Sequence, residues 1–244
     1  MVKRWHSFGT SVIGPGHVRN DLPNQDSYLS KNTNRFTCIV VADGVGSCKH
    51  SDVGSKAVCA AVLDAVRKML GTKHSLPIKA TLELVKQIYL KKIGNLNPRD
   101  TSTTCLFAIR FCKRKTLLAM LGDGLVAAKM KSGEIISLMD DKSQNFSNIV
   151  VPISPKTKFE DWKFRLIKNN ECQAVLLCSD GIADDLEDIH GFVSEYLTNC
   201  QNNKTSVVAE ETKRMLENWP VPYHSDDKTI ACFYRMEKKD DRRK

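Results

Sequence analysis

No stretch of this sequence approaches the roughly 18 consecutive apolar residues that a bilayer-spanning helix requires, so a membrane protein is not expected. Met1–Trp5 shows no apolar core of the kind that secretion signals carry, so export is not expected either. No C-x-x-C pair occurs among the nine cysteines, and nine is an odd number. That argues against a disulfide framework or a zinc ribbon. Cys38, Cys178 and Cys232 lie inside apolar runs and read as small buried hydrophobes of a reducing, cytoplasmic compartment. There is no internal repeat and no linker, which predicts one domain over residues 1–236 followed by a charged tail, 237–244. Gly14-Pro15-Gly16 lacks the third glycine and the lysine of a phosphate-cradling loop, so a nucleotide-binding protein is not indicated. A cysteine phosphatase needs five residues between Cys and Arg; Arg110 comes one position too early after Cys105.

What is present is an ordinary globular composition, 41% hydrophobic and 27% charged. The net charge is +9, from 37 basic and 28 acidic residues, and much of the excess is local, as in Lys113-Arg114-Lys115 and the tail. No aromatic residues interleave with these clusters in a stacking pattern, so nucleic-acid binding ranks last among the readings.

The chain is organised around Ile39–Gly46. The apolar run Cys38–Ala42 fits a strand covered on both faces, and it ends in Asp43, Gly44 and, two residues on, Gly46. Before it, Trp5–Ile13, Ser27–Leu29 and Phe36–Ala42 read as an early meander. After it, Val53, Ala57, Ala60, Ala61, Leu63 and Val66 fall at helical spacing. A second helix is expected over Ile78–Ile93, and a strand over Ser102–Phe111. Thr116–Leu121 and Leu125–Met130 read as a hairpin turning at Gly122-Asp123-Gly124, and Glu134–Leu138 as a further strand. Met139–Glu160 has few periodic signals. Strands at Lys163–Lys168 and Ala174–Ser179 precede helices at about 184–197 and 205–216, and Thr229–Tyr234 closes the order. Strands in runs and helices in pairs predict an α+β fold: a four-layer α-β-β-α sandwich, two mostly antiparallel sheets flanked by helix pairs.

Five times an apolar run stands beside a carboxylate: Asp26, Asp43, Asp123, Asp180 and the pair Asp226-Asp227. If the strand ends share a rim, these groups repel one another until protons or a cation neutralise them. Oxygen ligands without His or Cys suit hard ions, Mn²⁺ or Mg²⁺, rather than zinc. Two such ions about 3.5–4 Å apart hold a hydroxide and clamp a phosphoryl group for in-line attack.

The motifs D-G-V-G at Asp43–Gly46, T-S-T-T at Thr101–Thr104, G-D-G at Gly122–Gly124, S-D-G-I-A-D at Ser179–Asp184 and D-D-K-T at Asp226–Thr229 occur in this order. Together with G-P-G-H-V-R-N-D-L-P-N-Q-D at Gly14–Asp26 they resemble the PPM (protein phosphatase 2C) family, bacterial-type branch. The resemblance spans about residues 9–233. It implies a metal-dependent phosphatase acting on phosphoserine and phosphothreonine in proteins phosphorylated by serine/threonine kinases. By this resemblance Asp43 bridges two metals and the Gly44 carbonyl binds the second. Asp180 and Asp226 bind the first, and Asp26 holds metal-bound water. Asp123 binds a third, weaker ion, with Asp184 nearby.

Three positions depart from the pattern. Many relatives have an arginine five residues before the first-motif aspartate; here Arg19 lies seven before Asp26, which leaves His17 or Arg19 to grip phosphate. Some relatives have a histidine after D-G; here it is Val45, leaving water, His17 or His50 to protonate the leaving oxygen. Asp227 replaces the commoner asparagine and either strengthens metal affinity or faces solvent. The alternative function is a catalytically weak PPM-like module that binds or senses a phosphorylated partner.

Overall fold

The computed structural model describes residues 5–71, 77–112, 115–139 and 151–236. Within them, strands form two antiparallel five-stranded sheets. The first runs, in spatial order, β1 (Trp5–Val12), β10 (Lys228–Arg235), β9 (Cys172–Cys178), β6 (Leu125–Met130) and β7 (Ile135–Leu138). The second runs β2 (Ser27–Asn32), β3 (Phe36–Ala42), β4 (Cys105–Phe111), β5 (Lys115–Leu121) and β8 (Lys163–Lys168).

The sheets pack face to face, and side-chain alternation assigns each residue to a layer. Ile39, Val41, Leu106 and Leu118 of the second sheet meet Val126, Val175, Leu177 and Phe233 of the first. The residues between them, such as Val40 and Phe107, point outward against α2 (Ser51–Gly71) and α3 (Ile78–Lys92). On the other side Leu176, Ile230 and Cys232 meet α5 (Ile189–Asn202) and α6 (Thr205–Glu217). The central strands therefore bury both faces, which is why they read as unbroken apolar runs. Each large side chain so buried, Phe107 or Phe233 for example, contributes about 1.5–3 kcal/mol. The expected four-layer α-β-β-α arrangement is the observed one.

Several local expectations change. Gly122-Asp123-Gly124 does not turn a hairpin: β5 and β6 lie in different sheets, and the loop carries the chain across the sandwich. β5 already pairs with β4 and β8, and β6 with β9 and β7, so neither has a hydrogen-bonding edge left for the other. Gly122 (φ 90°) and Gly124 (φ 102°) take left-handed conformations that redirect the chain between them. The early meander is likewise divided, with β1 at the edge of the first sheet and only β2 and β3 forming a hairpin in the second.

The buried face of α2 keeps Ala61 and Val66 of the expected stripe, but Val53 is exposed, and Gly54, Ser55, Val58, Val62 and Ala65 are buried in addition. Ser55 Oγ lies 3.0 Å from Ser27 Oγ, and this close approach to β2 favours small side chains over the bulkier stripe. A five-residue helix, α1 (Pro15–Arg19), occupies a stretch read as loop. A short α4 (Asp180–Ala183) precedes α5, which starts later than expected. Much of Met139–Glu160 lies outside the described residues, including Lys142.

Candidate metal centre

The two sheets end together at one rim. Ser27 pairs with Ala42, Cys105 with Leu121, Leu125 with Cys178 and Val12 with Lys228, so strand ends of both sheets are brought into register there. Asp43 follows directly on β3, and the T-S-T-T segment locks its backbone. The Thr104 N–H and the Thr103 hydroxyl each donate to the Asp43 carbonyl at 2.8 Å, and the Asp43 N–H donates to Thr104 Oγ1 at 2.9 Å. Gly44 is buried beyond it, where a Cβ would stand 2.7 Å from the Ser51 carbonyl oxygen and 2.8 Å from that of Gln25. Any larger residue would push this loop off the rim.

Asp180 opens α4, and its Oδ1 accepts the Gly181 N–H at 2.7 Å. Asp123 arrives on the sheet-crossing loop. Carboxylate oxygens of Asp43, Asp123 and Asp180 all lie within 4.8 Å of one another. Asp226 stands before β10, its Oδ1 accepting the Asp227 N–H at 2.9 Å, and its charge acts on both Asp43 and Asp180. Asp26 is buried behind the group. Its Oδ2 accepts the Ser179 hydroxyl at 2.7 Å, while Ser179 Oγ accepts the Thr229 N–H at 3.0 Å. Ser179 was part of a recognised motif, but its role in holding Asp26 was not legible; its signal was only the position between the β9 run and Asp180.

Burial drives the electrostatics. It lifts Asp26 from 3.8 to about 7, with Asp227 adding to the rise against hydrogen bonds from Thr229 and Ser179. It lifts Asp180 to about 7, helped by the charges of Asp123, Asp226 and Asp26. Asp43 is raised well above the usual range by burial, then by Asp26, Asp180 and Asp226. In metal-free protein these groups bind more protons folded than unfolded, so the fold is most favoured at low pH and loses stability as pH rises. Melting temperature in EDTA is therefore expected to fall between about pH 4 and 7 on account of Asp26 and Asp180. Saturating manganese should flatten that slope. A metal-free melting temperature that rises through this window would mean the carboxylates are neutralised in another way.

The donor set fits a hard divalent cation. It is all oxygen, and among the described residues Asp26, Asp43, Asp180 and Asp226 have no lysine, arginine or histidine ion-pair partner. Positive charge at this spot would remove the repulsion that otherwise forces protons onto the cluster.

A sequence model of protein phosphatase 2C matches residues 13–217. The chain belongs to the protein phosphatase 2C family. No curated protein matches the sequence itself. Among solved structures the chain is similar to a bacterial serine phosphatase (TM-score 0.68, 19% identity, covering 97% of this chain and 100% of that one). It is also similar to the serine/threonine phosphatase Stp1 from Staphylococcus aureus (TM-score 0.66, 18% identity, 96% and 95% covered). The catalytic domain of the serine/threonine protein phosphatase PstP, solved in complex with two manganese ions, matches with TM-score 0.58 at 14% identity, 96% and 99% covered.

Against the protein phosphatase 2C pattern, the three departures sit as follows. Asp227 is 1% exposed and faces neither solvent nor the carboxylate trio as a ligand. Its Oδ1 accepts the Gly14 N–H at 2.7 Å, and its Oδ2 accepts the Gln25 N–H at 2.7 Å and lies 2.8 Å from His17 Nδ1. It therefore pins the first-motif loop to the start of β10, a role the sequence reading missed. His17 is engaged at Nδ1 by this contact, whereas Arg19 on the same helix is exposed. His50 caps no carboxylate; its N–H donates to the Asp100 carbonyl at 2.7 Å, and Val45 donates to Ser102 at 3.0 Å. Lys228, also unassigned from sequence, is 2% exposed, with Nζ 3.0 Å from His224 Nδ1 and 3.2 Å from the Asp226 carbonyl oxygen. Burial pulls it below the ordinary lysine range.

Proposed function

We propose that this chain is a metal-dependent protein serine/threonine phosphatase, a phosphoric monoester hydrolase. The observation that carries the reading is the convergence of Asp43, Asp123 and Asp180 from separate elements to within 4.8 Å. In this reading Asp43, the Gly44 carbonyl, Asp180 and Asp226 would hold two Mn²⁺ or Mg²⁺ ions, and Asp123 would serve a third, weaker one. When bound, such ions supply a nucleophilic water near neutral pH and neutralise phosphoryl oxygens.

The protein's own groups orient and move protons. Asp26, fixed by Ser179 and close enough for its charge to act on Asp43, is placed to receive a proton from an attacking water. The T-S-T-T segment keeps Asp43 rigid, which preserves alignment through the reaction. The grip on the phosphate falls to His17 or Arg19 of α1; Arg19 is the exposed one, whereas Nδ1 of His17 is engaged by Asp227. The substrates are phosphoproteins made by serine/threonine kinases, in the cytoplasm. The protein acts as one domain over residues 1–236, and its charged tail, 237–244, lies outside the described residues.

Hydrolysis of para-nitrophenyl phosphate and of a phosphothreonine peptide in Mn²⁺ or Mg²⁺ tests this. Turnover that EDTA abolishes and metal restores is the expected result. Inertness on both substrates with either metal would instead assign the chain to the family's binding or sensing role.

A further inference from the structure

Away from the carboxylates, a cavity of about 380 Å³ opens between the start of α3 and the segment that precedes β8. Its apolar surface comes from Leu82, Phe159 and Trp162. Three lysines, Lys79, Lys86 and Lys158, line it against a single acid, Glu83. Lys86 is already used, bound to Glu83 at 2.7 Å and to the Thr157 carbonyl at 2.9 Å. Lys79 and Lys158 are exposed and make no ion pair among the described residues; Lys79 Nζ stands 5.8 Å from the Phe159 ring centre. Two further acids, Glu160 and Asp161, lie in the turn after Lys158 but do not line the cavity; Asp161 accepts the Lys158 backbone N–H at 2.7 Å. The first turn of α3 has no acidic residue, so the positive end of that helix adds to the field.

This groove is tied to the metal centre. The Ile153 N–H donates to the Thr103 carbonyl at 3.0 Å, and the Thr103 hydroxyl holds the Asp43 carbonyl at 2.8 Å. Thr157, on the groove wall, is four residues from Ile153, a reach of at most about 14 Å.

We propose that the groove docks an acidic segment of the phosphoprotein substrate. An apolar side chain of that segment rests on Phe159 and Trp162, its carboxylates lie between Lys79 and Lys158, and the phosphorylated residue lies several positions further along the chain. This rests on the phosphatase reading above and specifies which substrates it selects. The lysines act mainly on encounter and on KM, since they stand apart from the reacting atoms.

The test compares two phosphothreonine peptides in Mn²⁺, one bearing Asp-Leu-Glu five residues from the phosphothreonine and one bearing Ser-Gly-Ser there. The wild type is expected to favour the acidic peptide by about tenfold in kcat/KM, mostly through KM. The exposed double substitution K79E/K158E should remove that preference and leave para-nitrophenyl phosphate turnover within about twofold. Equal turnover of both peptides by the wild type, or a preference that survives K79E/K158E, overturns the proposal. Should neither para-nitrophenyl phosphate nor either peptide be hydrolysed, the phosphatase reading fails by itself. The groove is then judged by fluorescence anisotropy with the labelled, unphosphorylated Asp-Leu-Glu peptide: binding lost in K79E/K158E supports docking, and no binding by the wild type overturns it. Sedimentation showing a wild-type dimer that K79E/K158E dissolves would assign the groove to a second copy of the chain, and also overturns it.

Discussion

Asp43→Asn is expected to remove metal-dependent hydrolysis while raising the melting temperature of the metal-free protein. Asp43 sits among Asp26, Asp180 and Asp226, and burial with those charges raises its carboxyl far above the usual range. An amide at this position keeps the shape and deletes the charge. Losing several kcal/mol of charge stabilisation at the reacting phosphoryl group amounts to a fall on the order of a thousandfold in kcat. In EDTA the same change relieves repulsion. Each 1 kcal/mol so gained moves the melting temperature by about 2–4 °C in a chain of this size. Kinetics in saturating manganese and thermal melts in EDTA read the two effects separately. Residual manganese-dependent turnover within tenfold of the parent would remove Asp43 from its bridging role. A lower metal-free melting temperature would show that Asp43 stabilises the fold rather than straining it.

Asp227→Ala should cost the most stability of any change near the site, about 3–5 kcal/mol. It strips three close partners at once, the Gly14 and Gln25 N–H groups and His17, from a residue 1% exposed. Two backbone donors would be left buried with nothing to bond. Asp227→Asn is milder, about 1–3 kcal/mol. Either amide orientation turns its NH₂ toward one of the backbone N–H groups. Urea denaturation measures both, and the order Ala worse than Asn is the discriminating result. A loss below about 1 kcal/mol for Asp227→Ala would mean that water replaces these bonds without cost.

How much of this could be read from the sequence varied with the kind of signal. Layer order was legible because β3, β9 and β10 bury both faces and therefore read as apolar runs. The carboxylates were legible because each stands at the end of such a run. Sheet membership was not. A Gly-Asp-Gly between two strands looks alike whether the chain folds back beside itself or passes to the other layer. The start of the buried face of α2 was misread because hydrophobic periodicity favours Val53 over Gly54, whereas a Cβ at position 54 would collide with the Thr101 carbonyl. That Asp227 pins the Gly14 and Gln25 backbone was not legible, because adjacent carboxylates in sequence, Asp226 and Asp227, face different surroundings across one peptide bond. Lys228 had no signal at all: a lysine at a strand start normally reads as solvated, and its contacts with His224 and the Asp226 carbonyl are products of the fold.

The crossing loop has a mechanical corollary. Asp43 hangs from one sheet, Asp180 and Asp226 from the other, and Asp123 from the strap joining them. Cations held among these residues would rivet two separately laddered layers at their shared lip. Catalytic competence and resistance to shearing of the sandwich would then rise and fall together, so chelation should loosen the lip as well as silence it.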